Sequence, residues 1–106
     1  MIVVTSEAIA NKRIVKTLGL VRGNTIRARH IGKNIMAGFR NIVGSEVHEY
    51  SKLIGESREQ AIDRMVTEAE ELGANAVIAA RFTTSVMMGG AAELLAIGTA
   101  VVVEYA

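Results

Sequence analysis

Between Ser45 and Leu72, small and apolar residues recur at helical spacing. Tyr50, Ile54, Ser57, Ala61, Met65, Ala69 and Leu72 follow one another at intervals of four, three, four, four, four and three. Val47, Leu53, Ile62 and Val66 widen the stripe. Glu49, Glu56, Arg58, Glu59, Asp63, Arg64, Glu68, Glu70 and Glu71 fill most of the rest. This is the pattern of an amphipathic helix with one face for a core. The stripe keeps its phase through Gly55, which favours one continuous helix over a break there, with Ser57-Arg58-Glu59-Gln60 capping a second helix. Ser45 is the expected N-cap and Gly73 the expected left-handed stop.

Elsewhere the period is that of strands. Ile2 to Thr5 reads as a short β-branched strand, and Ser6 to Asn11 as a connection. Arg13 to Arg29 reads as a long strand, bent or bulged at Gly19 and Gly23. Ile31, Ile35, Phe39 and Ile42 return to helical spacing and predict a short, irregular helix over His30 to Val43, ended by Gly44. Ala76 to Val86 is a strand with Ile78, Ala80 and Phe82 on one face and Arg81, Thr83 and Ser85 on the other. Met87 to Ala91 is a turn. Ala92 to Tyr105 is apolar on both faces: Leu94, Ala96, Ala100 and Val102 on one, Leu95, Ile97, Val101 and Val103 on the other.

The expected fold is a single α+β domain over residues 1–106. It has two layers: an antiparallel sheet of about four strands, with one long and one short helix on one face. A helix is about 10 Å across and strands lie about 4.8 Å apart, so one long helix covers only about half of a four-stranded sheet. The other face has nothing left in this chain to cover it, yet the last strand is apolar there too. Another copy of the same chain is the economical cover, so the expected partner is the protein itself. The alternative is a central last strand whose second face packs on the loop after Thr5.

Charge and composition narrow the chemistry. The chain has no cysteine and no proline, which removes disulfides, thiolate metal sites and thiol catalysis. Residues 1–40 carry +7, residues 41–106 carry −6, and the total is +1. The two halves are expected to cancel by packing together; without base-stacking aromatics the basic half is not read as a nucleic-acid footprint. No apolar run reaches the length of a membrane helix and no signal peptide is visible, so a cytoplasmic protein is expected.

No reaction is legible. His30 stands alone, and His48 shares a helical face with Lys52 rather than with Glu46 or Glu49, so no metal ligand set is assigned. The helix acids read as a solvated surface. Glu93 and Glu104 flank an apolar strand and are expected to pair with Arg13, Arg22 or Arg27 on a neighbouring strand. Gly19-Leu20-Val21-Arg22-Gly23 lacks the spacing of a phosphate loop. Nothing marks Ser6, Ser45 or Ser85 as a nucleophile, and Met87-Met88-Gly89-Gly90 reads as a hairpin turn rather than a lid. No catalytic residue and no cofactor is assigned, and any ligand is expected between subunits.

Several stretches together resemble the YbjQ-like family: Asn41-Ile42-Val43-Gly44, Glu49-Tyr50, Arg58 to Met65, Gly73-Ala74-Asn75-Ala76-Val77-Ile78 and Gly98 to Val103. The similarity runs from about Val4 to Val103. The resemblance implies a dodecin-like subunit and a ring-shaped homo-oligomer, most simply a pentamer, in a family that carries a heavy-metal-binding label. The chain departs from the family pattern at Asn34, where an acid is common, at Ser45, where a second glycine is usual, and at Ile97, where an aromatic is frequent. The amide at Asn34 removes a charged ligand or general base from that point.

Overall fold

The computed structural model describes residues 1–27, 43–86 and 92–106. Four strands and one long helix follow in the order β1 (Ile2–Val3), β2 (Lys12–Arg27), α1 (Val43–Glu71), β3 (Ala76–Val86) and β4 (Ala92–Tyr105). They build one sheet in the order β1-β3-β4-β2. The sheet is mixed rather than antiparallel: β4 pairs antiparallel with both neighbours, but β1 lies parallel to β3. The departure follows from chain routing. β1 and β2 sit at opposite edges, so they cannot form a hairpin, and the chain between them must cross the sheet. The expected short helix over His30 to Val43 and the turn from Met87 to Ala91 lie outside the described residues.

α1 is continuous through Gly55. It already includes Gly44 and Ser45, so Gly44 ends no helix and Ser45 is not its N-cap. The C-terminus is built as the sequence suggested. Gly73 has φ +89°, its N–H donates to the Glu70 carbonyl (3.0 Å), and the Ala74 N–H donates to Ala69 (3.0 Å). This is a Schellman stop, which a glycine at C′ permits. Of the helical stripe, Ser57, Ala61, Met65 and Ala69 are buried, whereas Leu72, at the stop itself, is 47% exposed. Gly55 is different from Gly73: a Cβ there would meet nothing within 4 Å. Gly55→Ala is therefore expected to raise the unfolding free energy by about 0.5–1 kcal/mol in urea denaturation.

The α1 face of the sheet is made of small residues, and they bring helix and sheet backbones close. Gly23 of β2 lies against Ala61 and Met65, and a Cβ on it would fall 2.3 Å from the Ala61 carbonyl oxygen. Gly23 is thus a site of close approach, not the bulge expected from sequence. The breaks in β2 pairing fall between Ile14 and Lys16 and between Thr17 and Gly19, where Gly19 has φ +116°. Opposite Val21, Gly98 of β4 leaves room for the Val77 side chain; a Cβ on it would lie 2.5 Å from Val77 Cγ1. Met65 fills the centre of this core with Val21, Ala61, Ala69, Val77, Ala96 and Ala100.

A further irregularity lies in β3. The register passes from Ile78↔Thr99 to Arg81↔Ile97, which inserts one extra residue, and Ala79 adopts φ +53°. Period-2 alternation therefore breaks, because a bulge turns the following residues over. Val77 and Ala80 face α1, whereas Ile78 faces away. Ile78, Ala80 and Phe82 do not share a face.

The bulge is tied to the segment after β1. The Ala79 N–H donates to Ser6 (2.8 Å) and the Ala80 N–H to Val4 (2.9 Å). That segment carries Val4 and Ile9 onto the second face of the sheet, over Ala76, Ile78, Val101 and Val103. The expectation that nothing in this chain covers that face is thus corrected for one half of it, in the manner of the alternative.

Candidate functional site

Among the described residues the second half of that face stays open. By register, Leu20, Arg22, Asn24 and Ile26 of β2 lie beside Thr99, Ile97, Leu95 and Glu93 of β4, with Arg81, Thr83 and Ser85 of β3 beyond. Leu20 is 60% exposed and Ile26 55%, while Leu95 and Ile97 are half-buried. A row across the sheet runs Arg22, Ile97, Arg81, with an exposed guanidinium on each side of the isoleucine. Arg81 is held by the backbone: its Nη1 donates to the carbonyls of Thr5 (2.7 Å) and Ala80 (2.8 Å).

On the α1 side, a crevice of about 280 Å³ opens between the segment after β1, β3 and α1. Its walls are Val3, Val4, Thr5, Ile62, Met65, Ala80, Arg81, Phe82 and Ala96. The bulge at Ala79 creates it by turning Ala80 toward Met65. Arg81 is the only charged residue among its walls and none is Asp, Glu or His. Such a crevice can hold a small apolar group; it holds no carboxylate or imidazole to move a proton.

The expected pairing of the acids that flank β4 is met at one end. Arg13 lies opposite Glu104, its Nε donates to the carboxylate at 2.9 Å, and the two form an ion pair. Both side chains are well exposed, so the pair adds little to stability. Beside it, Lys12 Nζ sits 3.7 Å above the Tyr105 ring. At the other end Glu93 accepts from Asn24 at 3.4 Å, and among the described residues it makes no ion pair.

Asn75, within the stretch Gly73 to Ile78, has a defined role of its own. Its Nδ2 donates to the Val103 carbonyl (2.9 Å) and its Oδ1 accepts from the Val103 N–H (2.8 Å), so the side chain extends the β3–β4 ladder by one position. The signal was its place between a helix-stopping glycine and a β-branched run.

A metal set is not assembled here. Among the described residues no three of His, Cys, Asp and Glu come close enough to hold an ion. His30 lies outside the described residues, as does the side chain of His48. Among the described residues no helix is long and apolar enough to cross a membrane.

Comparison with known proteins adds a family. Residues 1–104 match the family model YbjQ_1, described as "Putative heavy-metal-binding". A UPF0145 protein of Methanosarcina acetivorans is 58% identical over 101 residues, covering 95% of each chain. One from Dehalococcoides mccartyi is 56% identical over 104 residues, covering 98% of this chain and all of that one. One from Archaeoglobus fulgidus is 52% identical over 101 residues, covering 95% of this chain and 94% of that one. In structure, the chain is similar to a protein of unknown function from Pediococcus pentosaceus, assigned to the DUF74 family. The TM-score is 0.66 at 14% identity, with 98% of both chains covered; this likeness concerns the fold alone. The chain has no thiolate, and among the described residues, which include neither histidine side chain, no three of His, Cys, Asp and Glu come together.

Proposed function

Given that this chain belongs to the YbjQ, or UPF0145, family, we propose that it is a ring-forming homo-oligomer, most simply a pentamer. In this reading it is a cytoplasmic, non-enzymatic assembly protein whose ligand site lies between subunits. The observation that carries the reading is the open half of the second sheet face, where Leu20 and Ile26 stand more than half exposed beside Leu95 and Ile97.

Two features support it. The subunit is drawn out, 57 × 22 × 16 Å with a radius of gyration of 17.4 Å, whereas a compact domain of this length has one of about 13 Å. Elongation leaves surface that the described residues do not fold over. The edge of β3 is the second feature. β1 and the residues after it pair with β3 only as far as Ala80, so among the described residues Arg81 to Val86 has no strand on that side. An uncovered edge with a single charge in six residues invites pairing with another chain.

A second reading, a small-ligand binding protein, is favoured by the apolar crevice beside Met65 and Phe82. An enzyme with an intersubunit site has no comparable support among the described residues.

Native mass spectrometry with and without a chelator tests the proposal. The expected spectrum is a multiple of the 11.3 kDa subunit, unchanged by chelation. A lone subunit, or a ring that dissociates when metal is withdrawn, would contradict it. A small apolar molecule retained through purification would instead favour the crevice.

A further inference from the structure

The open sheet face has a complement on the same molecule. On α1, Glu56, Glu59, Asp63 and Glu70 are all exposed and follow one another at intervals of three, four and seven, which places them on one helical stripe facing away from the sheet. Between Glu56 and Glu70 no basic residue shares that spacing. Glu56 and Glu59, and then Glu59 and Asp63, are like charges at neighbouring helical positions, an arrangement that weakens a helix by a few tenths of a kcal/mol per pair. Arg64, which could have relieved them, instead reaches down to the Asn24 carbonyl of β2. Among the described residues none of the four acids forms an ion pair.

The opposite surface shows the mirror-image imbalance. Arg22 projects from the second face between exposed Leu20 and half-buried Ile97 and Leu95, and among the described residues it has no acidic partner. Arg81 flanks the same isoleucine from β3. Among the described residues, one surface is acidic and makes no ion pair; the other is apolar, carries Arg22 and Arg81 with Glu93 at its end, and is uncovered.

We propose that the acidic stripe of α1 in one copy docks on the open sheet face of the next copy, with Arg22 received between Glu59 and Asp63. This inference rests on the ring reading and specifies its interface. The two surfaces are different patches of one chain, so the contact is heterologous, the kind that closes a ring rather than a two-fold dimer. The opposed charges fix orientation and exclude other pairings.

The test is charge reversal in the full chain. Arg22→Glu and Glu59→Arg are each expected to raise the subunit dissociation constant by about tenfold or more, read by sedimentation at equal concentrations. Both residues are exposed, so circular dichroism should show each variant folded. The chain carrying both reversals should regain the wild-type constant. Raising NaCl from about 0.05 M to about 0.5 M should loosen the wild-type assembly, because salt screens exposed charge. Single reversals that leave a wild-type-like oligomer would overturn this docking surface while the ring stood. Reversals that weaken assembly without mutual rescue would also overturn the pairing. A wild-type monomer would remove both proposals.

Discussion

Gly23→Ala is expected to lower the unfolding free energy by about 3 kcal/mol, the upper end of ordinary overpacking costs. The new methyl would lie 2.3 Å from the Ala61 carbonyl oxygen, 2.4 Å from the Met65 nitrogen and 2.8 Å from Arg64 Cβ. Two of these three atoms are helix backbone, so no side-chain rotation relieves the clash. α1 would have to lift from β2 and loosen the contacts of Ala61 and Met65 along with it. Urea denaturation at one fixed protein concentration measures the effect, since assembly makes stability depend on concentration. A loss below about 1 kcal/mol would mean that helix and strand are not in close contact at Gly23.

Met65→Ala is expected to cost a similar amount, about 3–4 kcal/mol, by the opposite route. Met65 is 1% exposed and, among the described residues, the largest of the fully buried side chains. Its neighbours Ala61, Ala69, Ala96 and Ala100 are too short to close over the space it would leave. Met65 is also a wall of the crevice next to Phe82, so truncation would open that crevice into the core. Met65→Leu preserves volume and should cost less than about 1.5 kcal/mol. Equal losses from the two substitutions would argue that the sulfur, not the volume, matters at this position.

These two residues also show what could be read from sequence. Met65 was legible because helical spacing is a property of neighbours in the chain, and the stripe from Ser57 to Ala69 is buried as its period required. The stop at Gly73 was legible for the same local reason. Gly23 was only half legible. Its presence marked an irregularity, but a glycine needed for backbone approach and one needed for a bulge look alike until the opposing element is known. The bulge at Ala79 left no glycine to announce it, because it is imposed by hydrogen bonds that the Ala79 and Ala80 N–H groups donate to the Ser6 and Val4 carbonyls, more than seventy positions away. The parallel pairing of β1 escaped detection likewise, since a two-residue strand carries no record of its partner.

The candidate site was the least legible part. That the last strand is apolar on both faces was plain from its composition. How much of the second face the described residues cover depended on where Val4 and Ile9 come to rest. They cover the end of the sheet that holds Val101 and Val103 and leave the end that holds Leu95 and Ile97.

Static light scattering on the purified wild-type chain tests the central claim most directly, because the uncovered half of the sheet either recruits further copies or stays wet. The account predicts a particle whose mass is several times 11.3 kDa at micromolar concentration. A particle of a single subunit, stable and soluble at that concentration, would contradict it.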